Sequence, residues 1–387
     1  MATYGADAAY PIDQLEQKLR EYAIDCPTIY YALGNDAYDP KIIQLLTGFR
    51  PVKTRGQTVP VHLEDPSPLI HDLRLRRSTT ELAWHRRSCE IASEAHHEAM
   101  RYARPGLYEY EVQAALEYVF RRHGSPRNAY PSIVASGPNA CILHYTENSR
   151  RLEDGDLLLI DAGCEYGYYA ANITRTFPVN GRFTPAQRML YDLVLEAQLA
   201  AIVVAQPGNR YEAMHEAARR VLTAGLVALG LLPRGLEESL AMHHEREFYM
   251  HSTGHWLGMD VHDVGDYRVD GQSRLLEPGM VLTVEPGLYV DPEREVVTFA
   301  LREYHEVEIR ERRDRLGLAV ASQLEREEQE HALKVTYPIP PELRGIGIRI
   351  EDDVLITERG NEVLTSRAPK TIEAVERACA DVSPLPH

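Results

Sequence analysis

The stretch His251-Ser-Thr-Gly-His-Trp-Leu-Gly-Met-Asp-Val-His-Asp263 decides how the rest of the chain is read. It brings His251, His255 and His262 into one short window, with Gly254 and Gly258 between them to let backbone approach a site closely. A lone loop histidine is most simply a surface residue. Three together, with acidic clusters on both sides in sequence, favour a metal site instead, since neutral imidazole is a common ligand for divalent ions.

Working outward, two apolar runs end in an acid: Leu157-Leu-Leu-Ile-Asp161 and Val281-Leu-Thr-Val-Glu285. A third segment, Gly345-Ile-Gly-Ile-Arg-Ile-Glu-Asp-Asp-Val-Leu-Ile356, alternates, so Arg349 and Glu351 share a face with Asp353 beyond them. Tyr168 to Phe177 also alternates and sets Asn172, Thr174 and Thr176 on one face. A hairpin centred near Tyr166 and Gly167 would put Asp161 opposite Asn172, about 5 Å apart at Cα. Burying Asp161, Glu285 and Glu351 costs free energy unless their charge is compensated, and a divalent cation would offset all three. With His255 added, the oxygen-rich set suits Mn²⁺ or Co²⁺ first, and Zn²⁺ or Fe²⁺ as further fits. Such a site activates water and polarises a carbonyl, and two neighbouring ions can share one hydroxide.

The chain around this set is that of a globular protein, with 387 residues, 44% hydrophobic and 26% charged. Its 42 Lys plus Arg against 58 Asp plus Glu give a net charge of −16, which argues against nucleic acid or an anionic membrane as main partner. Cys26, Cys89, Cys141, Cys164 and Cys379 are scattered and form no CxxC pair, so the natural compartment is the reducing cytoplasm. The N-terminus carries no basic start or apolar core of an export signal, and no run approaches membrane-spanning length.

Residues 1–77 mix a helical pattern (Ile12, Leu15, Leu19), a strand-like run Thr28-Ile-Tyr-Tyr-Ala32 and a helix around Lys41 to Leu46, which reads as a small, partial α/β unit. Ser78-Thr-Thr-Glu81 is a capping box opening a helix to about Arg104, and a second helix runs from about Glu109 to His123. Further helices are expected at about Pro185 to Ala205 and Glu212 to Leu229, so helices followed by strands occur twice over 78–387. The tract 292–337 contains Glu306-Val-Glu-Ile-Arg-Glu-Arg-Arg-Asp-Arg315 and Glu325-Arg-Glu-Glu-Gln-Glu330; it reads as a charged helical insertion held by opposite charges three or four residues apart. A solvated surface helix is its plainer reading, a lid or oligomer contact the other.

Several motifs now stand in order: Ser132-Ile-Val-Ala-Ser-Gly-Pro-Asn-Ala-Cys-Ile-Leu-His-Tyr-Thr-Glu-Asn148, Leu159-Ile-Asp-Ala-Gly-Cys-Glu-Tyr166, Ile173-Thr-Arg-Thr-Phe-Pro-Val-Asn-Gly181, the histidine stretch, Thr283-Val-Glu-Pro-Gly-Leu-Tyr289 and Gly345 to Asp353. In this order they resemble the aminopeptidase P family of Xaa-Pro aminopeptidases. The resemblance implies an α+β pita-bread catalytic domain, as in methionine aminopeptidases, prolidases and creatinase, preceded by a shortened creatinase-like N-terminal domain. It implies two divalent ions, Mn²⁺ foremost, with Asp161 on one, His255 and Glu285 on the other, and Glu351 bridging. His144 and His262 would hold the substrate carbonyl, His251 and Arg349 would contact substrate, and Glu285 would shuttle a proton. The implied substrates are peptides with proline at the second position, cut by a metal-bound hydroxide. A homo-oligomer is also implied as an option.

Two departures qualify that implication. Where the family has a bridging aspartate this chain has Asn172, which keeps a carbonyl oxygen but loses a negative charge and a second ligating oxygen. A weaker second ion follows, and the outcomes are a slower two-metal aminopeptidase, a one-metal enzyme, or a non-catalytic peptide-binding scaffold. Within the enzymes, a prolidase-type dipeptidase is the neighbouring reading. The short N-terminal region, with its half-built sheet, further predicts self-association.

Overall fold

The computed structural model describes residues 5–49, 58–233, 235–301, 306–331 and 333–385. Two compact units are present, Met1–Leu73 and Arg74–His387. In the first, helices Leu15–Ala23 and Asp39–Gly48 accompany a two-stranded parallel sheet, Thr28–Tyr30 with His62–Glu64, around a small core of Ala23, Phe49 and Val59. Residues from Arg74 onward belong to the second unit for a local reason: the Arg77 amide donates to Gly279 O at 2.9 Å, and its guanidinium donates to Leu257 O at 2.6 Å and pairs with Asp263.

The second unit repeats one theme twice. Ser78 caps the helix Thr79–Tyr102, its amide reaching the Glu81 carboxylate at 2.7 Å, and the chain turns at Gly106 into the helix Glu109–Arg122. Three antiparallel strands follow, Ile133–Ser136, Leu157–Ala162 and Ile173–Pro178, with Leu157–Ala162 central and buried along its whole length. Then come helices Pro185–Val204, capped by Thr184, and Glu212–Ala228. A second antiparallel set, Val281–Val284, Asp352–Thr357 and Gly360–Val363, completes the repeat. Both halves share one hydrophobic core, and a bridge between Thr174 and Glu351 joins their strands.

Two details depart from the sequence reading. The Leu157–Ala162 and Ile173–Pro178 strands pair with Asp161 opposite Thr174, not Asn172. The reason is the turn: Gly167 and Tyr168 both have left-handed φ (58° and 73°), so the chain reverses one residue later than expected and the register slides by two. A two-residue slide keeps each side chain on its face. The second detail is the tract 292–337, which contains strand as well as helix. Val296–Leu301 pairs antiparallel with Leu333–Pro338, and two helices, Glu306–Leu316 and Leu318–His331, lie between them. The run Glu325 to Glu330 falls within the second helix, and the side chains of 301–310, 325, 326 and 328–332, on which expected charge pairs fall, lie outside the described residues.

Candidate metal centre

Strand ends converge on one place. Asp161 is the penultimate residue of Leu157–Ala162, Asn172 immediately precedes Ile173–Pro178, Glu285 follows Val281–Val284, and Glu351 sits between Gly347–Arg349 and Asp352–Thr357, where the chain changes pairing partner. His255, Glu285 and Glu351 can each place one donor atom within 4.8 Å of the others. His255 Nε2 stands 3.4 Å from Glu285 Oε1, while its Nδ1 donates to Trp256 O at 2.9 Å. That bond leaves the Nε2 lone pair facing the carboxylates, the tautomer a metal ligand needs.

Close backbone packing makes this possible. A Cβ at Gly254 would run into Thr283 O, and one at Gly258 into the Arg77 guanidinium and the Asp263 carboxylate. Gly254 thereby lets Thr283 order the site: its hydroxyl accepts from the His255 amide at 3.0 Å and donates to Glu285 Oε1 at 3.1 Å.

Glu351 is wholly buried, and both its oxygens accept, one from Asn172 Nδ2 and the other from Thr174 Oγ1 at 2.6 Å. Burial, then the negative charges of Glu285 and Asp161, push its pKa well above the usual range. Glu285 rises to about 7, mainly through burial and the Asp161 charge, with Arg349 pulling the other way. Carboxylates this close, facing one imidazole nitrogen, form a donor set that a divalent cation fits, since its charge would relieve their mutual repulsion.

Arg349 organises the opposite side. Its guanidinium donates to Asp161 Oδ2 at 2.7 Å, to Thr174 Oγ1 at 3.1 Å and to the Tyr289 hydroxyl at 2.9 Å. Asp161 Oδ1 accepts from the Tyr130 hydroxyl at 2.6 Å. Because Tyr289 accepts from Arg349, its own proton points to His251 Nε2, 2.9 Å away, and His251 Nδ1 donates to Ser252 O at 2.8 Å. Burial and the Arg349 charge lower the His251 pKa to about 3, so its ring is neutral. His262 lies edge-on to His255 with ring centroids 4.3 Å apart, and its partial desolvation, followed by the neighbouring His255, lowers its pKa too.

These groups surround a cavity of about 730 Å³, which His144, Tyr130, Leu143, Tyr211 and Tyr267 also line. Of the residues singled out in the sequence, His144, Asp161, Asn172, His251, His255, His262, Glu285 and Arg349 line this cavity, and Glu351 lies behind Asn172. Asp161 is not one of the three mutually close donors, its oxygens being held by Tyr130 and Arg349. Sequence reasoning missed Tyr130, Thr174 and Tyr289 as hydrogen-bonding members. Tyr289 closes a quoted motif and Thr174 shares the Asn172 face, so a signal existed for both; for Tyr130 the only signal was its place just before Ser132.

The chain matches the model of metallopeptidase family M24 over residues 83–358. It is 42% identical over 373 residues to Xaa-Pro aminopeptidase of Escherichia coli, covering 96% of this chain and 75% of that protein. It is also 42% identical over 312 residues to Xaa-Pro aminopeptidase of Haemophilus influenzae, covering 81% of this chain and 62% of that one. Among solved structures, aminopeptidase PepP of Pseudomonas aeruginosa superposes with a TM-score of 0.83 at 44% identity, over 98% of this chain and 76% of that one.

Proposed function

This chain belongs to metallopeptidase family M24 and has its pita-bread fold, and on that premise we propose that it is a metal-dependent Xaa-Pro aminopeptidase. It removes one N-terminal residue by hydrolysing the peptide bond that precedes a proline. The observation that carries the reading is the convergence of His255, Glu285 and Glu351 donors, the first two on the wall of a peptide-sized cavity and Glu351 just behind it. That the relatives matched are named Xaa-Pro aminopeptidases favours this over a prolidase. It equally favours an enzyme over a scaffold.

His255, Glu285 and Glu351 would hold a divalent ion, with Mn²⁺ the best fit to one imidazole among carboxylates. Glu351 would be shared with a second, weaker position beside Asp161 and Asn172. When bound, the ion supplies Lewis-acid polarisation and an activated water. The remaining work falls to side chains. His144 and His262 orient the scissile carbonyl and steady the charge that develops on its oxygen. Glu285 carries a proton toward the proline nitrogen as it leaves, and neutral His251 with Arg349 borders the substrate. Five free cysteines fit a cytoplasmic setting, and among the described residues no helix is long and apolar enough to cross a membrane.

The test is Mn²⁺-supplemented protein offered an Xaa-Pro dipeptide and a longer Xaa-Pro-Xaa peptide. Release of the first residue from the longer peptide supports an aminopeptidase. Cleavage of the dipeptide alone would make it a prolidase, and cleavage of neither would refute the reading.

A further inference from the structure

Glu109, the first residue of the helix Glu109–Arg122, is wholly buried, yet it lies outside the metal-ligand set. Five donors converge on its carboxylate. Oε1 accepts from the Ser136 amide at 2.7 Å, the Ser136 hydroxyl at 2.7 Å and Asn139 Nδ2 at 3.1 Å. Oε2 accepts from the Tyr145 hydroxyl and the Arg150 amide, both at 2.8 Å. Neither hydroxyl can turn round. Ser136 Oγ already accepts from Arg150 at 2.9 Å, and the Tyr145 oxygen from the Ser149 amide at 3.3 Å. Only an acceptor at both oxygens satisfies all five.

These donors span one loop, from the end of Ile133–Ser136 to Arg150, and that loop carries His144. His144 itself is exposed on the cavity wall, whereas its neighbour Tyr145 is buried beside Ile133 and Tyr289. We propose that Glu109 is the positioning residue of the His144 loop: a buried carboxylate that fixes, through Tyr145 and Ser136, where His144 meets the substrate. This rests on the substrate-facing role given to His144 above.

Glu109→Gln keeps the shape but replaces one acceptor oxygen with an N–H donor facing other donors. With the Mn²⁺-supplemented full chain and an Xaa-Pro peptide, kcat should fall about tenfold or more, as for a misplaced catalytic group, with metal content unchanged. The decisive readout is a double-mutant cycle. In a His144→Ala background, Glu109→Gln should change kcat less than about twofold, because the group it positions is gone. Multiplying effects would overturn the proposal as a general loss of structure. Should Glu109→Gln fail to fold, Tyr145→Phe removes one donor; a fall in kcat that disappears with His144→Ala supports the proposal, and an unchanged kcat overturns it. Faster amide hydrogen exchange confined to residues 136–150 is expected in either variant, and unchanged exchange there counts against it. His144→Ala at the unmodified rate would remove the role of His144 itself. A slow His144→Ala beside a normal Glu109→Gln would overturn the positioning role alone.

Discussion

Asn172 donates its side-chain N–H to Glu351 Oε1, so the carboxylate proposed to bridge two ions is already held by an amide on one oxygen and by Thr174 on the other. An aspartate in place of Asn172 could not donate; it would repel Glu351 unless a cation lay between them. Asn172→Asp is therefore expected to tighten the second ion by about tenfold or more and to raise the rate of Xaa-Pro hydrolysis. Metal analysis after dialysis against limiting Mn²⁺ checks this. Equal metal content in both forms at limiting Mn²⁺, together with equal rates, would contradict it.

Tyr289 links Arg349 to His251, with 2.9 Å on each side. Tyr289→Phe leaves a guanidinium proton and an imidazole nitrogen without their partner in a buried place, at about 1–3 kcal/mol. The expected result is kcat/KM lowered by roughly 5- to 150-fold at unchanged metal content. A loss of bound metal instead would mean that Tyr289 supports the ligands and not the substrate side.

Gly254 faces Thr283 O with no room for a methyl group. In Gly254→Ala the Thr283 hydroxyl can no longer hold both the His255 amide and Glu285 Oε1, so the variant should fold yet bind Mn²⁺ at least about tenfold more weakly. Isothermal titration of the two forms decides the matter, and equal affinity would exclude the role given to Thr283.

Asp352 sits one residue beyond Glu351 but serves the fold. It is buried and bonded to Arg175, Lys370, Gln198 and Thr365, each at 2.7 Å. Burial by itself would raise its pKa, but the Arg175 and Lys370 charges outweigh that and hold it below the ordinary carboxylate range. A carboxyl depressed in the folded state contributes stability that is complete above its unfolded pKa and is lost as pH falls through its folded value. Asp352→Asn should cost on the order of 3–5 kcal/mol near neutral pH and flatten the acid side of the stability profile. Thermal unfolding from pH 7 down to pH 3 would show it, and parallel profiles for the two proteins would rule it out.

How far the sequence reached follows from what each residue shows locally. The strands beside Asp161 and Glu285 were legible because an acid at the end of an apolar run is a local feature, and Ser78 with Glu81 marked a helix start for the same reason. The pairing of Asp161 with Thr174 was not legible, since it depends on both Gly167 and Tyr168 adopting left-handed backbone. Tyr130 was hidden because nothing around it in Asn128-Ala-Tyr-Pro-Ser132 shows that its hydroxyl meets Asp161, and Tyr289, though it closes a quoted motif, shows its role only once its hydroxyl is seen against Arg349. The strands Val296–Leu301 and Leu333–Pro338 were obscured by the charged helices between them, whose composition dominated the reading of that tract.

The account stands most directly on a single comparison: initial rates of N-terminal residue release from two peptides that differ only in proline or alanine at the second position. Chelator-stripped protein should be inert toward both, and added Mn²⁺ should restore release from the proline peptide alone. Release without metal, or equal release from the alanine peptide, would contradict it.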